Sequence, residues 1–535
     1  MIHHIDQAFD AWQNNPFHDG VAFSDFCDYI LPYRKFQGLC LEEWRSGFYN
    51  DNFDLLRSDG LLIREFAESL LSRYVDYSHT YQIMSDYPYL KSTDFKISKR
   101  GGCGEKCWFN SMPFASLGIP VAIDFVPAWG NRNDKHQWNT LIHDGKSYPF
   151  ESFWEKDKWK YKKLYNNRSS DPLYGDFRLA KVYRYSYRTH GEGPVSDPRV
   201  SVADIPPLFL NTKKTDVSDE YFKTCNVEVF LNNKPAGTRY AYLCVFDADR
   251  IVPVQWSKIT EGNKAVFKKM GMDIVYVAAY CRDGNLLPAG EAFYLNEEGY
   301  KEYFHQDQSV KTIVLKRKYP VFPVKAEWAK TLKGGKFQGA NNPGFNDADN
   351  LHVITETPDF IPTVAGISIT RKYRFARFLF DKGKYGNLAE IKFYTSDGDS
   401  TKVLKGRQIQ AGKLLPEVMQ RGMDGNLSTF ILPYMPGLIS TYEDQWWVGL
   451  DFGIQKRITA IEFCPRTDEN NIFPGLNYEL KYWNNGWISL GVQNARGNEL
   501  VYENVPDNAL FILKCLDKGK EERVFTIKNS KQRWH

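Results

Sequence analysis

The sequence predicts a multidomain α+β chain in which helices lead and all-β sandwiches follow. Three observations carry that expectation. Leu62, Phe66, Leu70 and Tyr74 recur at four-residue steps, the spacing of one helix face. The run HQWNTLIHDGKSYPFES, from His136, reads as strand, Asp-Gly turn, strand. From residue 223 onward, short β-branched and aromatic runs such as VEVFL, RYAYLCVF, YRFARFLF and WWVGLDFG alternate with Asn, Gly and Asp turns.

In chain order, residues 1–95 are expected to form a helical lead-in with aromatic anchors (FSDFCDYILPYRKF, LEEWRSGFY, LLIREFAESLLSRYVDY). Residues 96–165 change character. GGC opens a helix, SLGIPVAIDFV turns into a strand, and the hairpin follows. Pro113 falls inside that helix, where its ring opposes the Phe109 carbonyl, so the helix is expected to kink or stop early. Residues 166–222 are charged, Pro-rich and weakly periodic (SDPRVSVADIPPLF) and read as a linker or extension. A β-sandwich is expected over 223–325, an abbreviated β module over 330–400 and a further β-sandwich over 401–535. No repeat, heptad or low-complexity tract appears.

Composition removes several classes of function. With 535 residues, 42% hydrophobic and 15% aromatic, the chain is no disordered polymer. Lys and Arg number 69 against 65 Asp and Glu, a net charge of +4, so no nucleic-acid partner is expected. No stretch approaches the ~20 apolar residues of a membrane span, and none is expected. MIHHIDQAFDAW lacks a basic segment followed by an apolar one, so no leader is visible. Ile2, Ile5, Phe9 and Trp12 already follow helical spacing, which leaves room for a lost upstream segment, and localisation stays open. The nine cysteines are sparse, odd in number and without a disulfide pattern, so most are expected to be buried small apolar residues.

The richest chemistry lies between Arg100 and Ser152. A thiol becomes nucleophilic when a helix N-terminus and a nearby histidine favour its thiolate. Cys103, directly after Gly101 and Gly102, stands where the helix starts. His136 opens a strand and can accept the thiol proton, then return it to a leaving amine. Glu151, beyond the Asp144-Gly145 turn, has about the register to orient His136, with Asp144 and Asp124 as alternatives. For an oxyanion no side chain before Cys103 is evident, which leaves the Cys103 main-chain N–H and a nearby side chain that the sequence does not assign. Trp129 and Trp138 flank the base and either wall a substrate channel or pack the core. A zinc site from Cys103, Cys107, His136 and His143 is the rival reading, but C-x3-C with H-x6-H matches no common zinc spacing. Cys107 reads as structural.

This segment resembles the transglutaminase-like cysteine enzymes, through Gly101-Gly102-Cys103, Leu117-Gly118-Ile119-Pro120, His136-Gln137-Trp138 and Glu151. The resemblance implies a papain-like core in which Cys103 attacks an amide carbonyl, His136 shuttles the proton and Glu151 orients the imidazole. No cofactor is implied, and the substrate is a protein, peptide or glycoprotein. Glu stands where the family usually has Asp. Hydrolysis is the expected outcome; transamidation, or a catalytically inactive glycan-binding scaffold, are the alternatives.

Toward the C-terminus, Asp424, Gly425 and Thr429, then Trp447, Gly449, Asp451 and Gly453, then Tyr478, Glu479, Leu480 and Trp487 resemble the discoidin-like module, the coagulation factor type C domain of galactose-binding-like fold. FQGANNPGF and NLAEIKFYTSDGD resemble parts of a shorter related unit. The resemblance implies glycan binding through loops, and calcium near Asp424 and Thr429. Tyr434, Tyr442 and Trp446 are the candidate stacking rings, with Arg466, Asp468 and Asn470 as hydroxyl partners. The whole arrangement resembles multidomain proteins of gut Bacteroidetes, which implies an exported, periplasmic or cell-surface protein.

Overall fold

The computed structural model describes residues 2–35, 39–57, 60–75, 78–79, 91–150, 159, 170–171, 175–304, 309–384, 386–397, 400–411, 416–431, 445–519 and 521–535. The chain is a mixed α+β fold, rich in antiparallel sheets. No described helix is long and apolar enough to cross a membrane.

Helices α1 (Ile2–Asn14), α2 (Arg45–Asn52), α3 (Ile63–Ser72) and α4 (Ser92–Ser98) surround α5 (Cys103–Ser116). In α3 the periodic face is Phe66, Leu70 and the following Tyr74, all buried. Leu62 instead ends up outside the helix as its N-cap and exposed, its main-chain N–H donating to Glu65 Oε2 at 3.0 Å. The lead-in is no separate body, because Phe48, Phe66, Leu70 and Phe95 share one core with Phe109, Met112, Leu141 and Phe150. Buried Arg45 reinforces the join by donating to the Ala115 carbonyl near the end of α5 and to Ile30 O at 2.7 Å.

α5 runs through Pro113 to Ser116, which corrects the expected early stop. Residues 106–116 are all buried, and that packing outweighs the one backbone hydrogen bond Pro113 cannot make. The turn after it needs glycine. Gly118 has φ +77°, and a Cβ there would lie 2.1 Å from the Ala11 carbonyl oxygen of α1.

Beneath α5 lies an antiparallel sheet in the order β3-β2-β1-β4-β5, with β1 Val121–Val126, β2 His136–His143, β3 Lys146–Phe150, β4 Tyr183–Tyr185 and β5 Lys214–Asp216. The β2–β3 hairpin turns at Asp144 and Gly145 with φ +51° and +66°, the pair of positive angles a type I′ turn demands. β4 and β5 come from the stretch expected to be a linker, so the core sheet extends beyond residue 165. Its charged residues misled the reading because they are buried in pairs: Arg184 forks onto Asp124 with two 2.8 Å bonds, and Lys181 meets Asp216 at 2.5 Å.

Against this sheet packs a sandwich. Strands β6 (Cys225–Phe230) and β9 (Lys264–Met270) form one layer; β8 (Arg250–Lys258), β7 (Tyr240–Asp247), β10 (Ile274–Arg282), Phe293–Leu295 and Lys301–Tyr303 form the other. One face of the β7–β10 layer meets Val227, Val229 and Phe267; the other meets Phe125 and Tyr183 of the core sheet and Trp483 near the C-terminus. Two-sided burial explains why RYAYLCVF and DIVYVAAYC are unbroken apolar runs rather than alternating ones.

Two expected divisions fall inside sheets. Lys372–Leu379 pairs with Trp447–Arg457, and Leu388–Asp397 with Ala460–Pro465, so strands on both sides of residue 400 build one sandwich around Phe337, Phe393, Leu450 and Phe463. Val310–Leu315, expected in the preceding sandwich, pairs instead with Leu500–Pro506 and shares a core with the sheet over 477–534. Pairing partners this far apart in sequence leave no local mark.

Candidate active site

Cys103 is the first residue of α5. Gly102 N–H donates to Glu105 Oε2 at 3.1 Å, a side chain folding back onto the helix start. Gly101 is tightly constrained, since a Cβ there would stand 2.4 Å from the Phe95 ring. The half-buried Cys103 thiol lies beside the main-chain N–H groups of Gln137 and Gly104. These amides and the helix N-terminus favour negative charge on sulfur. Burial outweighs them and, with Glu105 and Asp134 nearby, pushes the thiol above its ordinary range. Use of Cys103 as a nucleophile therefore requires a proton acceptor.

The strand supplies the candidate. Ile142 N–H donates to Pro120 O on the β1 side, so by antiparallel alternation the amides of 137, 139 and 141 point to the β3 side, where the thiol meets Gln137. His136 precedes Gln137 on the strand and so faces the opposite side of the sheet from α5. Its ring lies between Trp129 and Trp138, with centroids 6.0 Å from each. Gln137 and Asn139 project the other way, toward α5, where Asn139 Nδ2 donates to Cys107 O at 2.9 Å and accepts at Oδ1 from Asn110 Nδ2 at 3.0 Å.

Gln137 is the residue that sequence reasoning passed over. Its Nε2 lies 3.0 Å from where a Cβ on Gly104 would be, so its carboxamide covers the first turn of α5 beside the thiol. Its Oε1 is buried without a hydrogen-bond partner among the described residues. The signal was present in H-x-W itself: if the outer two residues face one side of a strand, the middle one faces the helix.

Several expected roles are corrected. Trp138 has no exposed surface and donates Nε1–H to Tyr221 OH at 2.8 Å, and Trp129 is buried against Phe177, so both are core residues rather than walls of an open channel. Asp124, wholly buried, accepts from Arg184, Thr140 and Tyr221, which excludes it as the partner of His136. Asp144 sits beside His143, at 3.6 Å, at the far end of β2. That strand also disposes of the zinc reading, because His136 and His143 are its two ends, roughly 23 Å apart. Cys107 is buried in the core. Glu151 lies outside the described residues. Among the described residues no group of three or more His, Cys, Asp or Glu is placed to hold a metal ion.

Of the expected glycan contacts, Tyr434 and Tyr442 lie outside the described residues, and Trp446 is half-buried against the sandwich core. Asp468 and Asn470 are buried and committed: Asp468 binds Arg317 at 2.5 Å, and Asn470 Nδ2 donates to Glu521 Oε2 at 2.6 Å. Arg466 is sandwiched between the Trp328 and Phe430 rings, 3.6 and 3.8 Å from their centroids. Asp468 and Asn470 are thus held by partners within the protein, while Arg466 packs between rings. Asp424 and Thr429 face each other in an exposed loop, Thr429 Oγ1 donating to Asp424 Oδ2 at 2.8 Å. The next amide, Gly425 N–H, donates to buried Glu390 at 2.8 Å. No protein-family model matches this chain, and no curated protein matches it in sequence.

Proposed function

We propose that the chain is a cysteine-dependent amide or peptide hydrolase resembling the transglutaminase-like enzymes, with Cys103 as nucleophile and His136 as general base and acid. The observation that supports this reading is the seat of the thiol: first residue of a helix whose first turn lies against the Gln137 side chain, one residue past His136. As Cys103 Sγ adds to the carbonyl carbon, His136 takes the thiol proton. The oxyanion is received by the Cys103 main-chain N–H and by Gln137 Nε2. On collapse the C–N bond breaks, His136 protonates the leaving amine and a thioester remains. Water, deprotonated by His136, then releases the acid and restores the thiol. Glu151 is assigned the role of orienting the imidazole.

The discoidin-like resemblance adds a tethering role, in which the C-terminal sandwiches raise the local concentration of a glycosylated substrate. With Asp468 and Asn470 committed, Arg466 and the rings Tyr434, Tyr442 and Trp446 are the remaining glycan candidates. The upward push of partial burial on the Cys103 thiol favours one second reading, a binding scaffold without turnover. Mass spectrometry on protein quenched during exposure to a glutamine-containing peptide library separates the two. Hydrolysis predicts an acyl adduct on the Cys103 peptide and none in Cys103→Ser; a scaffold gives no adduct on either protein.

A further inference from the structure

A cavity of about 810 Å³ lies away from Cys103, between β5 with the 189–192 loop on one side and β8 with β9 on the other. Its volume suits an oligosaccharide or small ligand. β5 is three strands from β2 in the core sheet, so the groove is displaced sideways by roughly 14 Å. We propose that this groove binds an acidic oligosaccharide, one carrying carboxylate or sulfate groups, stacked on Trp256 and neutralised by Lys214, Lys258 and Lys268. The proposal does not depend on Cys103 chemistry.

The lysines give the charge of the ligand. Lys214 is half-buried, its Nζ donating to Asn211 O at 2.5 Å and standing over the Tyr183 and Phe209 rings at 5.5 and 5.6 Å. Among the described residues no carboxylate pairs with it. Burial without a counter-charge pushes its ammonium down to about 8. The neighbouring carboxylate, Asp216, is already held by Lys181 at 2.5 Å. Lys258 and Lys268 line the same groove, exposed and with no ion pair among the described residues, while Lys269 is satisfied by Asp219 at 2.8 Å. Against three unpaired ammonium groups the lining offers one unpaired carboxylate, Glu192. A buried cation facing a cavity is stabilised by an anion that enters it.

The ring and the hydroxyls choose among anions. Trp256 is half-buried and fixed: Gly193, at φ +103°, lies so close that a Cβ there would touch the indole at 3.0 Å, and Tyr240 meets it edge-on at 5.8 Å. A rigid indole plane takes the C–H face of a sugar ring. Thr189, Thr212 and Asn211 border it with the donors and acceptors that hydroxyl groups need. An acidic peptide uses the lysines but neither the plane nor the hydroxyls.

The full chain, titrated calorimetrically at low salt, tests this with four probes: a sulfated hexasaccharide, an oligogalacturonate hexamer, a neutral maltohexaose and a hexaglutamate peptide. At least one acidic saccharide binds, at least tenfold more tightly than maltohexaose and hexaglutamate, and weakens as salt rises. Trp256→Ala and Lys214→Met each weaken it roughly tenfold, the loss of one stacking or charged contact. Lys268→Glu changes only an exposed residue and weakens it several-fold even if Lys214→Met fails to fold. Absence of binding by both acidic saccharides, hexaglutamate binding as tightly, or unchanged affinity in Trp256→Ala and Lys268→Glu overturns the proposal.

Discussion

The Cys103 thiol lies beside the main-chain N–H of Gln137, one residue past His136 in sequence. That contact fixes the start of α5 against the open end of β2. The Gln137 side chain lies over the first turn of α5, where no partner among the described residues satisfies Oε1.

If the Gln137 carboxamide receives the oxyanion, Gln137→Ala lowers kcat by roughly 10²-fold, the usual effect of losing one such donor. The rate of Cys103 alkylation stays within about twofold in the same variant, because the thiol is held by the main chain. Loss of both together marks a structural role instead.

The Asp124–Arg184 pair is a stability device. Arg184→Met leaves a carboxylate buried and unpaired, and urea unfolding is expected to show a loss of about 3–5 kcal/mol. Tyr221→Phe removes the hydroxyl that links Trp138 Nε1 to Asp124, at a cost of about 1–3 kcal/mol.

Glu390 makes the large C-terminal sandwich sensitive to pH. Burial, helped by Asp424 and Glu462, lifts its carboxyl to about 7. The folded state then holds a proton that the unfolded chain has released between about 4.5 and 7, so stability falls as pH rises through that window and levels off above it. Glu390→Gln keeps the Gly425 hydrogen bond and removes the penalty. Thermal melts should show a gain of about 1 kcal/mol at pH 8, allowing for solvent screening, and no gain at pH 4.

Asp468 separates a structural from a sugar-binding role. Its side chain is fully buried against Arg317, so Asp468→Ala is expected to destabilise the protein by about 3 kcal/mol in chemical denaturation. Unchanged stability with loss of glycan retention would restore the binding role.

Local signals were legible and long-range ones were not. Strand alternation with Asp144-Gly145 marked the β2–β3 hairpin, and Gly101-Gly102 marked the start of α5, because each is a short-range demand on the backbone. Tyr183–Tyr185 and Lys214–Asp216 escaped, since Arg184 and Lys181 count as surface residues until their buried partners Asp124 and Asp216 are known. The pairing of Lys372–Leu379 with Trp447–Arg457 is set by the core, and no turn between them announces it. At the site, Cys103 and His136 carry recognisable chemistry, whereas Gln137 gains a role only from the side of β2 it faces.

The most direct measurement is the pH dependence of iodoacetamide alkylation at Cys103, read by peptide mass spectrometry, with buried Cys107 as internal control and His136→Ala as comparison. If His136 takes the thiol proton, Cys103 alkylates at pH 7 at least tenfold faster than in His136→Ala, where burial alone holds the thiol above its ordinary 9.0. A Cys103 that is inert, or that follows the same profile at or above about pH 9 with and without His136, contradicts the account.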